Sequence, residues 1–327
     1  MSKIKVGITI GDPSGIGPAI ALKAIAKLKG LADFTVIGDA WVLSKIKNQK
    51  SPFSFARGKK IKDLKLIDLG NVKHQDFGFG KIKAEYGRAA LEYLDKALGL
   101  IEAGQIDCLV TCPVSKEAVR LSGREFSGHT EYLAVKTGSK DFAMMLLNRR
   151  IKFCLLTRPL PLREVPAAIT AGNLEKNILL SLAALKDLFF KKNARLVVCG
   201  LNPHASDNGV IGDEENKIIR PLLKKLKQKN AAEIDGPISA DVAVSRAYNR
   251  EYDCVIACYH DQAMIPLKML FKQLGGVNLT VGLPFVRTSP LHGTAFDIAG
   301  RPRLANPESL IQAVKLAVRC ASNLKRG

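Results

Sequence analysis

The chain has 327 residues, 47% hydrophobic and 24% charged, the balance of an ordinary globular protein, which excludes wholesale disorder. No apolar run reaches the roughly 18 residues that a membrane span needs. The formal net charge is +20, but aromatic residues are only 6% and none is interleaved with the lysines, so a nucleic-acid groove is not indicated and the excess would instead draw anionic substrates.

In chain order, residues 6–10 read as a buried strand, followed by a Gly-rich turn and a helix over about 18–28. Residues 35–38 form a second strand, and 48–62 and 71–83 read as polar surface excursions, the first containing Arg57, Lys59 and Lys60. A helix over 85–103 is the clearest element: Leu91, Leu94, Leu98 and Ile101 repeat at the three-four spacing and Gly104 supplies a stop. Strand-like runs follow at 108–111, 144–147, 153–156, 196–199 and 254–257, with helices between them, notably 174–188 and 307–321. Ile218, Ile219, Leu222, Leu223 and Leu226 make one apolar stripe that leaves Lys224, Lys225, Lys227 and Lys229 on a solvated face. This alternation predicts an α/β protein with a mainly parallel sheet and two interleaved lobes.

The seven cysteines (Cys108, Cys112, Cys154, Cys199, Cys254, Cys258 and Cys320) sit mostly in apolar runs, as buried free thiols of a reducing compartment do. Met1 to Lys5 leads straight into a strand rather than a signal-peptide core, so the expected location is cytoplasmic, with no membrane partner.

Three of the five histidines lie where chemistry gathers in open α/β sheets, at or after strand ends. His204 stands in Asn202-Pro203-His204-Ala205, a Pro-stiffened turn. His260 precedes Asp261, a carboxylate able to fix its tautomer for metal binding. His129 lies in Ser127-Gly128-His129-Thr130-Glu131. Lys268, Asn278 and Arg287 follow, and cations and amides at neighbouring strand ends would bind a carboxylate or phosphate. The turn Gly11 to Pro18 holds three glycines but is neither a dinucleotide fingerprint nor a P-loop, and is expected to be a close-packed turn.

Taken together and in order, GDPSGIGP at 11–18, GHTEYLA at 128–134, LPLREV at 160–165, NPHA at 202–205, GPISAD at 236–241, YHDQ at 259–262 and VNLTVGLPFVRTSPLHGTA at 277–295 resemble the 4-hydroxythreonine-4-phosphate dehydrogenase family. The resemblance implies a two-lobed isocitrate/isopropylmalate dehydrogenase-like α/β fold with an interlobe cleft, and a homodimer completing its sites across subunits. It implies NAD(P)-dependent oxidation of a small phosphorylated hydroxy acid, 4-phosphooxy-L-threonine, to a 3-oxo acid. Loss of carbon dioxide then gives 3-amino-2-oxopropyl phosphate, a precursor of pyridoxal phosphate.

By the same resemblance His129, Thr130, Lys268, Asn278 and Arg287 contact substrate, His204 and His260 ligate a divalent metal (Mg, Mn, Zn or Co), and His292, Gly293 and Thr294 lie near NAD or NADP. Lys268 and Asp241 are the candidate catalytic groups, with Asp241 also the candidate oxygen donor to the metal. The chain departs from the family pattern at Pro159, where a third metal-binding histidine is usual, and at Ala19, Ser206-Asp207 and Leu291. Other readings left open are a dehydrogenase of a four-carbon sugar-acid phosphate, a phosphate acyltransferase-like enzyme, and a basic binding module without catalysis.

Overall fold

The computed structural model describes residues 3–46, 64–229, 233–270 and 275–326. The excursion expected over 48–62, with Arg57, Lys59 and Lys60, lies outside the described residues, as does Lys229's side chain. The chain divides into two compact units, one of Met1–Thr137 with Pro284–Ser322 and the other of Gly138–Leu283 with Asn323–Gly327.

In the first unit the chain runs β1 (Lys5–Thr9), α1 (Gly17–Lys27), β2 (Asp33–Gly38), α2 (Ala40–Ser44), β3 (Leu64–Asp68), α3 (Ala84–Glu102), β4 (Cys108–Thr111), α4 (Lys116–Leu121) and α5 (His129–Lys136). The second unit holds β5 (Ala143–Leu147), β6 (Lys152–Leu155), α6 (Val165–Ala168), α7 (Ala171–Phe189), β7 (Arg195–Cys199), α8 (Arg220–Lys229), β8 (Glu233–Ile238), α9 (Ala240–Tyr248), β9 (Cys254–Ala257), α10 (His260–Met269) and β10 (Val277–Val281). β11 (Val286–Pro290) and α11 (Glu308–Leu324) then follow, β11 within the first unit.

The first unit's strands lie in the order β3-β2-β1-β4-β11, and every pairing is parallel. Such strands are covered on both faces, and β4 is buried at all four positions. The second unit has the order β10-β5-β6-β9-β7-β8, in which β5 pairs antiparallel with both neighbours and the remaining pairs are parallel. Only four residues separate β5 from β6, too few for a crossover helix, so a hairpin is the one connection available. Asn148 closes it, its Oδ1 accepting from the Arg150 and Ile151 amides at 2.8 and 3.0 Å. The lysine-rich stretch behaves as its spacing predicts: Ile219, Leu222, Leu223 and Leu226 are buried, while Lys224, Lys225 and Lys227 are exposed. All seven cysteines are free and buried.

α3 is the beam on which the first unit's functional end is built. Leu91 and Leu94 pack on Val119 of α4, and Phe126 and Tyr132 close over that cluster. At its polar side Asp95 accepts from the Tyr132 hydroxyl at 2.6 Å and pairs with Lys136 at 3.0 Å, so α3 fixes α5 as well. The approach of α4 is set by Gly87, where an added Cβ would stand 2.3 Å from the Ala118 carbonyl. Gly99 on the same helix faces open space.

Gly87→Ala is therefore expected to destabilise the protein by about 1–3 kcal/mol through overpacking, whereas Gly99→Ala gains up to about 1 kcal/mol from helix propensity. Urea midpoints measure both, and equal effects of the two changes would show that α4 does not rest on Gly87.

Candidate functional site

In the first unit, β4 ends at Thr111, β11 carries Arg287, and α5 begins at His129 and Thr130. Arg287 is 1% exposed, and its Nη2 donates to Thr111 Oγ1 at 2.6 Å. Burial pulls its pKa down to about 9 while Glu131 acts the other way, so the guanidinium keeps its charge at neutral pH. The His129 imidazole is held well below its ordinary range, first by burial and then by the Arg287 charge, against a backbone hydrogen bond at Cys112. It is neutral at physiological pH, and its Nε2 is buried with no hydrogen-bond partner. Thr130 is buried beside it in sequence. A buried cation next to a neutral imidazole suits a ligand that brings both an anionic group and a hydroxyl.

The turn of Gly11 to Pro18 is more than the close-packed turn expected from its glycines. Its Gly11 has φ +70°, with Pro113 O only 2.3 Å from where a Cβ would lie. The Asp12 amide donates to Pro113 O at 2.9 Å, and Asp12 Oδ1 accepts from the Ser14 amide at 2.9 Å. Ser14 Oγ donates to Lys81 O at 2.6 Å and accepts from the Lys81 amide at 2.9 Å. The Ile16 amide donates to Thr294 O at 2.9 Å, and a Cβ on Gly15 would lie 3.1 Å from that same oxygen. One turn thus ties together the segment before α3, the end of β4 and the 292–294 loop, where His292 Nδ1 lies 3.0 Å from Gly293 O. The excursion expected over 71–83 is anchored here, with Trp41 stacked on His74 at 4.1 Å.

In the second unit, His204 and His260 follow the carboxyl ends of β7 and β9, which pair in parallel. Gln262 joins the two connections: its Oε1 accepts from the Cys258 amide at 2.7 Å and its Nε2 donates to Gly200 O at 2.9 Å. Asn202 is held by the buried Glu215, whose Oε1 and Oε2 accept from the Asn202 amide and Nδ2 at 2.8 and 2.9 Å. From His204 to Asn208 every φ is positive, between 45° and 70°, a left-handed run that costs side-chain-bearing residues about 1–3 kcal/mol each. Ser206 sits in this run, at φ 70°, where the resemblance has glycine. His260 Nδ1 lies 2.7 Å from Asp261 Oδ1, which leaves Nε2 as its outward donor atom.

Among the described residues no group of three or more His, Cys, Asp or Glu side chains is placed to hold a metal ion. His204, His260 and Asp241, the last exposed in the first turn of α9, are thus not a ligand set within the single chain, which falls short of the three protein ligands of a typical catalytic metal site. Lys268 is exposed in the last turn of α10. Asn278, on β10, has its Oδ1 buried with no hydrogen-bond partner. The structure brings His129 and Arg287 together and joins the connections after His204's and His260's strands. Sequence reasoning missed Thr111, Asp12 and Ser14; a lone acid in an otherwise apolar, Gly-rich turn was the available signal for the second.

Asp12 is fully buried, and burial raises its pKa to about 7 against opposing backbone hydrogen bonds from Ser14 and Ser115. Between the unfolded value of about 3.9 and that of the folded chain, the native state holds a proton the unfolded state has released, so stability falls as pH rises through this window. Asp12→Asn keeps the acceptor for Ser14 and removes the fall. Its urea midpoint should gain on the parent's between about pH 3 and about pH 8, by up to about 4 kcal/mol in stability; parallel pH profiles would contradict the assignment.

Comparison with known proteins places this geometry. The family model of the pyridoxal phosphate biosynthetic protein PdxA matches residues 23–317. A 4-hydroxythreonine-4-phosphate dehydrogenase of Sulfurihydrogenibium sp. (strain YO3AOP1) is 41% identical over 320 residues, covering 96% of this chain and 98% of its own. A D-threonate 4-phosphate dehydrogenase of Pectobacterium atrosepticum is 37% identical over 336 residues, covering 98% of this chain and 100% of its own. The crystal structure of 4-hydroxythreonine-4-phosphate dehydrogenase from Klebsiella pneumoniae superimposes with a TM-score of 0.85 at 34% identity, covering 98% of each chain. With the α/β fold and nearly the whole sequence matched, the chain belongs to the PdxA family of pyridoxal phosphate biosynthetic proteins.

Proposed function

We propose that this chain oxidises 4-phosphooxy-L-threonine with NAD or NADP as hydride acceptor, giving a 3-oxo acid that decarboxylates to 3-amino-2-oxopropyl phosphate. The observation that carries the reading is the buried Arg287 beside a neutral His129 in a chain of this family. Arg287 meets an anionic group of the substrate through its guanidinium fork, and His129 Nε2 accepts a hydrogen bond from a substrate hydroxyl. When bound, the nicotinamide takes the hydride, and the 292–294 loop, docked on the Gly11 to Pro18 turn, is the proposed cofactor contact. The resemblance assigns Lys268, Asn278 and Thr130 to substrate and His204 and His260 to a divalent ion, and Lys268 and Asp241 are the candidate catalytic groups.

D-threonate 4-phosphate is the second reading, supported by the Pectobacterium relative of that name. The two substrates share a phosphorylated four-carbon hydroxy acid and differ at the amino-bearing carbon. The working form is proposed to be a homodimer. No helix among the described residues is long and apolar enough to cross a membrane.

Absorbance of NAD(P)H, followed with both substrates and with Mg²⁺, Mn²⁺, Zn²⁺ or Co²⁺ added singly, tests the reading. Turnover is expected to be faster with 4-phosphooxy-L-threonine, and faster turnover of D-threonate 4-phosphate would establish the second reading instead. Arg287→Ala and Lys268→Ala are each expected to lower kcat/KM by about 100-fold or more, the loss of a charge-assisted contact in a desolvated site. Variants that turn over phosphorylated substrate like the parent would remove Arg287 and Lys268 from the site.

A further inference from the structure

The first unit carries an open surface cavity of about 760 Å³ lined by Lys116, Glu117, Arg120, Arg124, Glu125, Phe126 and Ser127, all exposed except the half-buried Phe126. It lies between α4 and the start of α5 and leads in sequence to His129. Two observations place it near His129. The Phe126 ring stands edge-on to the His129 imidazole at 5.4 Å, and the Lys116 charge is one of those that depress the His129 pKa.

Three cations and two carboxylates line this space. Among the described residues neither arginine nor Lys116 forms an ion pair or a side-chain hydrogen bond, although Glu117 and Glu125 line the same wall. Cations gathered in a concavity without pairing repel one another, in a chain already at +20. Guanidinium forks fit the geometry of phosphoryl oxygens, and the cations here outnumber the carboxylates on the same wall.

We propose that this cavity is a second anion subsite, separate from Arg287, that receives a phosphoryl group of one of the reactants. The choice of ligands rests on the dehydrogenase reading, and two sources carry the chemistry: the phosphorylated hydroxy acid and the phosphates of the dinucleotide.

The test is calorimetric titration of inorganic pyrophosphate into the parent, into Arg120→Ala/Arg124→Ala, and into Lys224→Ala/Lys225→Ala. The last pair removes the same charge from the solvated face of α8. The arginine variant is expected to bind pyrophosphate about 10-fold or more weakly, as loss of charge-assisted bonds predicts, with the lysine variant close to the parent. Arg120→Lys/Arg124→Lys, which keeps the charge and the fold, is expected to recover part of the loss. Pyrophosphate binding that survives the arginine change, or that falls equally in the lysine variant, overturns the subsite.

Titrating 4-phosphooxy-L-threonine, NADP⁺ and NAD⁺ into the same proteins then identifies the source. Weakening confined to the hydroxy acid assigns the cavity to the substrate, and weakening confined to the dinucleotides assigns it to the cofactor. Weakening of none of them contradicts a role in binding reactants. These are binding measurements, so arginine-dependent binding without NAD(P)H formation would sink the dehydrogenase reading and leave the subsite standing.

Discussion

A guanidinium taken out of water must keep its charge by other means, and Arg287 is the group on which the first unit's functional end depends. Burial pulls its pKa down to about 9, the Glu131 charge opposes that fall, and its Nη2 donates to Thr111 Oγ1 at 2.6 Å. On the proposed function, an anionic group of the substrate adds a further charge partner to the guanidinium. The neighbouring His129 is consistent with that arrangement, since an imidazolium there would add a second buried cation and the imidazole instead stays neutral.

The surrounding packing follows from holding this arrangement rigid. Gly87 lets α4 close on α3, Asp95 draws α5 onto the same helix, and His129 is thereby presented at the start of α5. In the turn after β1, Ser14 binds the Gly80-Lys81 segment, the Asp12 amide binds Pro113 O after β4, and the Ile16 amide binds the loop of residues 292–294. The buried acid of that turn is tolerated because its pKa rises with burial, so near neutral pH it is largely uncharged or only partly ionised. The second unit repeats the strategy with amides rather than charges: Gln262 and Asn202 fix the connections that carry His260 and His204.

Much of this was legible in the sequence. Period-two and three-four spacing located the main strands and helices to within about three residues, because burial of a strand or a helix face leaves that signature whatever the partner. The antiparallel setting of β5 was readable from the five residues between its run and the next, yet alternation alone suggested only a mainly parallel sheet, without saying which strand departs from it. Arg287 and His129 were legible as candidates from local motifs, but the action of the arginine's charge on the imidazole was not, since they are far apart in sequence and are brought near each other only by the fold. Thr111 was invisible for the same reason, whereas Asp12 had a signal in being the lone acid of an otherwise apolar, Gly-rich turn. The left-handed run at His204 to Asn208 carries no glycine until Gly209, so no residue-type signal announced it.

The central claim is that the buried charge at position 287 binds an anionic group of the substrate. It is tested most directly by the thermal unfolding midpoint of the parent and of Arg287→Met, each with and without 4-phosphooxy-L-threonine. A ligand raises the midpoint only where it binds the folded state, and removing one member of a buried polar pair lowers stability by itself, so the ligand-induced rise rather than the variant's own midpoint reads the claim. The account predicts that the parent gains several degrees from the ligand and the variant gains nothing. A variant that the ligand stabilises as much as it does the parent would contradict it.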